Sequence, residues 1–138
     1  MKPITELFMT KQMGLFNFFK NPERPIDFSN DNIERLTKSA DELGDTLTKT
    51  GFGLYVDFLS KIRLAAERHN EEEFKKLVIS RELFGGAGAL WEIWIEEEHL
   101  RIKFEKQFCD FVDLLKIMGI RNGRVNQVRK NFPFTKTN

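Results

Sequence analysis

Residues 30–49 read NDNIERLTKSADELGDTLTK, and their apolar positions Ile33, Leu36, Ala40, Leu43 and Leu47 are spaced 3, 4, 3 and 4. That spacing puts one apolar stripe on one face of an α-helix, since a 3.6-residue turn brings positions three and four apart side by side. Asp31 followed three residues later by Glu34 fits a capping-box start, and the pattern fades between Thr48 and Gly51. The same period recurs downstream. Residues 52–69 place Tyr55, Phe58, Leu59, Ile62, Ala65 and Ala66 on one face. Asn70 with Glu73 signals another helix start, continued by Phe74, Leu77, Val78 and Leu83. After Gly85, Gly86 and Gly88 the pattern resumes with Leu90, Trp91, Trp94 and Ile95, then runs through Leu100, Phe104, Phe108, Phe111, Val112, Leu115 and Met118.

Gly119 followed by apolar Ile120 reads as a Schellman-type helix end, because glycine takes the left-handed conformation without a Cβ penalty. Asn122-Gly123 reads as a turn before a short last helix carrying Val125, Val128 and Phe132. No segment alternates apolar and polar residues strictly as a half-buried strand does, Leu54 to Phe58 being a weak competitor. The expected fold is all-α, one compact domain of about five or six helices. Its expected core includes Tyr55, Phe58, Ile62, Leu77, Leu90, Trp94, Phe104, Phe108, Phe111 and Leu115. Residues 29–138 form this helical domain, and residues 1–28 an N-terminal apolar docking segment. In that segment Leu15, Phe16, Phe18 and Phe19 are flanked only by Lys11 and Lys20, too little positive charge for a membrane-surface helix.

Composition narrows the function classes. With 138 residues, 41% hydrophobic and 31% charged, the chain suits one globular domain rather than a disordered tail. A net charge of +1 lacks the polyelectrolyte character of a nucleic-acid binder. No apolar run approaches the roughly 18 residues of a membrane span, and Met1–Lys20 does not order a basic start, apolar block and cleavage site. The expected location is therefore cytoplasmic. One cysteine and two histidines give neither an internal disulfide nor an ordinary zinc ligand set.

Candidate chemistry is sparse. Glu96 and His99 form one E-x-x-H pair, which on a helix shares a face; di-iron carboxylate bundles use two such pairs, and Ala66 stands where His69 would need its glutamate. The glycines at 85, 86 and 88 lack the lysine of a phosphate loop and the strand that precedes a dinucleotide-binding turn, so they read as a structural hinge. Cys109, between Phe108 and Phe111 and near Asp110 and Asp113, reads as a buried small residue rather than a nucleophile. No G-x-S-x-G elbow surrounds any serine. Trp91 and Trp94, beside Leu90 and Ile95, read as core aromatics more readily than as interface anchors.

Charge is segregated along the chain. Residues 67–73 hold four glutamates against one arginine, and residues 92–98 hold four glutamates and no base. After Asp113 there is no acidic residue, while Lys116, Arg121, Arg124, Arg129, Lys130 and Lys136 are basic. That basic end has no evident aromatic platform for stacking bases, which argues against nucleic acid. The acidic clusters Glu71, Glu72, Glu73 and Glu96, Glu97, Glu98 are the candidate partner-binding residues, free to meet a basic protein surface.

The stretch Leu83-Phe84-Gly85-Gly86-Ala87-Gly88-Ala89-Leu90-Trp91-Glu92-Ile93 resembles a set of small bacterial helical proteins that share an F-G-G-x-G-[SA]-[LI] signature between two helices. Lys116-Ile117-Met118-Gly119-Ile120, Asn122 and Asn126-Gln127-Val128 are similar to that set as well, so the likeness spans about residues 52–132. Trp91-Glu92 departs from the Asn-Asp of the related sequences. The resemblance implies an immunity protein that neutralises a cognate toxin by direct binding. The expectation is a non-enzymatic protein-binding module without cofactor, metal or evident small-molecule substrate. The alternative is a metal-dependent or hydrolytic helical enzyme using Glu96 and His99.

Overall fold

Ser29 opens the first helix. In the computed structural model, which describes residues 25–134, its backbone is extended (ψ 156°) and its hydroxyl accepts from the amide of Asn32 at 3.3 Å. The cap thus lies two residues before the expected Asp31, because Asn32 turns inward, is buried and donates its side-chain amide to the Asp27 carbonyl at 3.0 Å. Six α-helical segments follow among the described residues: α1 (Asn30–Lys49), α2 (Val56–Glu67), α3 (Glu71–Val78), α4 (Arg81–Phe84, a single turn), α5 (Glu98–Met118) and α6 (Gly123–Arg129). Short 3₁₀ turns at Gly53–Tyr55 and Leu90–Glu92 complete the order, and no strand is present among the described residues. The fold is all-α. No described helix is long and apolar enough to cross a membrane.

The helix ends follow local chemistry. Asn70 caps α3 by accepting from the Glu73 amide at 3.2 Å, and Asn122 caps α6 by accepting from Val125 at 3.0 Å. Gly119 (φ 122°) closes α5 as expected: the Ile120 amide reaches the Leu115 carbonyl at 3.0 Å, and the Gly119 amide reaches Lys116 at 3.1 Å. The same pair of bonds ends α2, where Asn70 donates to Ala65 at 2.9 Å and His69 to Ala66 at 3.0 Å. There His69 takes the left-handed position (φ 54°) that glycine usually fills, and its ring stacks on Phe28 at 5.4 Å.

Packing centres on α5, which lies chiefly against α1; α2 packs on α1, and α3 on α2. Leu36, Leu43 and Leu47 from α1 and Phe104, Phe108, Phe111 and Leu115 from α5 are fully enclosed. Phe108 is the centre of an aromatic cluster, with ring centroids 6.0 Å from Phe84, 6.0 Å from Phe104 and 5.5 Å from Phe132. Of the expected core residues, Tyr55, Ile62, Leu90, Phe104, Phe108, Phe111 and Leu115 are buried, while Phe58 and Leu77 are half-buried against the core. Trp94 is a correction: it is 64% exposed. The segment carrying it, from Gly85 to Glu97, is not a helix apart from its one 3₁₀ turn, so its apolar residues do not share one face.

Residues 25–28 strap the chain onto the end of α5. The Asp27 amide donates to the Met118 carbonyl at 2.8 Å, and Ile26 is buried. Residues 1–24, the greater part of the expected docking segment, lie outside the described residues. The other tie across the sequence is ionic. Arg129 of α6 is not a surface base: its guanidinium donates from Nε to Asp113 Oδ1 at 2.8 Å and from Nη2 to Oδ2 at 3.1 Å, with both side chains only 3% exposed. Two parallel bonds pair the opposite charges where little water reaches.

Replacing Phe108 by Ala leaves a cavity among three other rings and is expected to cost about 3–5 kcal/mol in denaturant unfolding. Asp113→Ala leaves the buried Arg129 guanidinium without its two-bond carboxylate partner, and the expected loss is again about 3–5 kcal/mol. Chemical denaturation of each variant checks both; a loss under 1 kcal/mol in either, well below these ranges, contradicts the burial on which it rests.

Candidate partner-binding site

The segment Gly85–Glu97 owes its shape to side chains that take up its carbonyls. Tyr55 donates its hydroxyl to the Gly88 carbonyl at 2.6 Å, and burial raises the Tyr55 pKa above its ordinary value. The Trp91 indole N–H donates to the Gly85 carbonyl at 2.7 Å. From α6, Arg124 donates through Nε to the Phe84 carbonyl at 2.7 Å and through Nη2 to Gly85 at 3.2 Å, while its guanidinium lies 5.4 Å from the Trp91 ring centre. Arg101, in the first turns of α5, donates to the carbonyls of Ile95 at 2.9 Å and Glu96 at 3.4 Å.

Arg101 also stacks. Its guanidinium carbon sits 4.1 Å from the centre of the Trp94 ring, so one side chain fixes both the backbone before α5 and the exposed indole. Glu96, Glu97 and Glu98 follow at once and are all exposed, as expected. Ile102, one turn beyond Glu98 on the same helix face, is half exposed. The structure therefore assembles an indole, a run of carboxylates and an apolar side chain at the start of α5. Trp94 was legible only as an aromatic at helical spacing; the signal for its exposure is the three-carboxylate run two residues later, which no core would admit.

The other acidic cluster behaves differently. Glu72 and Glu73 are exposed in the first turn of α3, where carboxylates favour the positive end of the helix dipole. Glu71 is half-buried and engaged: it pairs with Lys75 at 3.0 Å and accepts from the Ile26 amide at 3.3 Å. The Lys75 bond, then the Ile26 bond, hold its pKa below the usual carboxylate range. Glu71 is thus a clasp for the N-terminal strap rather than a free rim charge.

The remaining candidates are placed as follows. His99 lies in the first turn of α5 and Glu96 precedes that helix, so the pair does not share a helix face. Among the described residues no group of three or more His, Cys, Asp or Glu side chains is arranged to hold a metal ion. Cys109 is buried, and desolvation pushes its thiol up to about 11. The basic end also differs from expectation. Arg129 is in the buried ion pair and Arg124 holds the Gly85 segment, whereas Arg121 and Lys130 are exposed beside Phe132 and Phe134, aromatic rings the charge pattern did not reveal. No family model matches the chain, and no match was found among curated proteins or solved structures.

The three glycines of the hinge are not equivalent. A Cβ on Gly85 would stand 2.7 Å from the Arg81 carbonyl oxygen, and Gly88 has φ +89°. Gly86 has open space around it and no positive φ, so the close approach lies at Gly85 and the left-handed backbone at Gly88. Gly85→Ala and Gly88→Ala are each expected to lose more than about 1 kcal/mol of stability, and Gly86→Ala to change it by less than about 0.5 kcal/mol. Thermal melts of the three variants check this order; a Gly86→Ala loss as large as that of Gly85→Ala contradicts it.

Proposed function

We propose that the chain is a non-enzymatic protein-binding module that docks through Trp94 and the Glu96–Glu98 run, and that it acts as an immunity partner neutralising a toxin by direct binding. The observation that carries the binding reading is Trp94, 64% exposed yet held in place by Arg101. An exposed indole stacked by a guanidinium offers a large apolar contact at reduced entropic cost, and tryptophan is enriched among the residues that dominate interface energetics. The adjacent carboxylates steer a basic partner surface toward it. The likeness of the Phe84–Leu90 signature to small bacterial helical proteins supports the finer reading, in which the partner is a toxin and the mechanism is occlusion of its basic working surface.

The test takes the products of the genes neighbouring this one, screened for toxicity, as ligands in surface-based kinetics. Trp94→Ala is expected to weaken binding by about 2 kcal/mol or more, mainly through faster dissociation. Reversal of Glu96, Glu97 and Glu98 to Lys is expected to slow association and to invert its salt dependence. All four side chains are exposed, so circular dichroism should show both variants folded. Wild-type rates in both variants remove this surface from the interface, and failure of the wild-type chain to bind the toxin removes the immunity reading for that pair.

A further inference from the structure

A cavity of about 430 Å³ opens where the end of α5 meets α6, and its walls are cationic and aromatic. This lies within the roughly 300–1,000 Å³ range of small-molecule sites. Lys116, Arg121, Arg129 and Lys130 line it, and among the described residues no acidic one does. Arg129 is paired with Asp113, which bonds it through both carboxylate oxygens. Arg121 and Lys130 form no ion pair among the described residues and are exposed. Arg129 is held rigid by three hydrogen bonds, to both Asp113 oxygens and to the Phe134 carbonyl, which leaves its Nη1 without a partner among the described residues. A guanidinium fixed through two of its nitrogens is a preorganised donor for an anion through the third.

The rest of the wall is not built for a bare ion. Phe132 and Phe134 both line the cavity and are half-buried, with Phe132 braced against Phe108 at 5.5 Å. Asn126 adds a carboxamide that can both donate and accept. We infer that this cavity binds a small organic phosphate carrying a planar ring, of the size of a nucleoside monophosphate, with the phosphate at Arg121, Arg129 and Lys130 and the ring against Phe132 and Phe134. The inference goes beyond the protein-binding reading and stands without it.

Calorimetric titration of the full chain with adenosine 5′-monophosphate, adenosine, inorganic phosphate and single-stranded oligodeoxythymidylate tests it. The expected result is saturable one-site binding of the monophosphate that weakens with salt, with adenosine and inorganic phosphate each at least about tenfold weaker. The double variant Arg121→Ala/Lys130→Ala changes only exposed side chains and leaves the Arg129–Asp113 pair intact. It is expected to melt as the wild type does and to bind the monophosphate about tenfold or more weakly. The inference is overturned by absence of saturable monophosphate binding, by adenosine or phosphate binding as tightly, or by an unchanged affinity in the folded double variant. Oligonucleotide affinity that rises steadily with length and exceeds the monophosphate's overturns it in favour of a nucleic-acid surface.

Discussion

A stretch of backbone without a helix must find other partners for its polar groups, and the segment from Gly85 to Glu97 finds them in side chains. Tyr55 comes from before α2, Trp91 from the segment itself, Arg101 from α5 and Arg124 from α6, and each donates to one or more of its carbonyls or to that of Phe84. The two planar cations do double work by stacking on Trp91 and Trp94. Because the donors are anchored on separate elements, the segment's course is over-determined. A loop held at several points presents its side chains in one arrangement, so the exposure of Trp94 is a property of the fold rather than of a loose loop.

How much of this is legible in the sequence depends on the range of the interaction. The helices of α1 and α5, the Asn70 cap and the Gly119-Ile120 ending follow from residues within one or two turns, and they appear where the spacing places them. Leu90, Trp91, Trp94 and Ile95 carry helical spacing too, yet Gly85 and Gly88 hold the chain out of a helix and the long-range hydrogen bonds keep it there. Period alone cannot distinguish these cases, because it says nothing about what lies opposite. His69 is similarly hidden: nothing local marks a histidine as the left-handed residue of a helix end when its ring contact is forty-one residues upstream in Phe28. The Arg129–Asp113 pair is hidden for the opposite reason. Counting charge along the chain assigns every base to the surface, whereas a carboxylate sixteen residues away removes one of them from solvent.

Net charge conceals how the field is arranged. Helix α5 runs 21 residues, which at a rise of about 1.5 Å per residue makes it about 30 Å long. The glutamates cluster at its first turn and the bases at its end and just beyond, each the sign that complements the helix dipole at that terminus. At physiological ionic strength a charge is felt over about 8 Å. The two ends of α5 therefore present separate local fields, one negative around Trp94 and one positive around Phe132 and Phe134, although the chain as a whole is nearly neutral. A single long helix thus serves as core element, spacer and the axis along which charge is sorted.

The dependence of α1 on α5 also bears on how the chain is made. The apolar stripe of Leu36, Leu43 and Leu47 finds its main cover in a helix that ends at Met118, and the strap at Asp27 finds its hydrogen-bond acceptor at Met118 itself. At synthesis rates of about 5–20 residues per second, α1 leaves the ribosome several seconds before that cover exists. Until then α1 has only the earlier-made α2 to pack against. Burial of that stripe by its principal partner therefore awaits α5, and a chain truncated before Met118 lacks the main cover of its α1 core face.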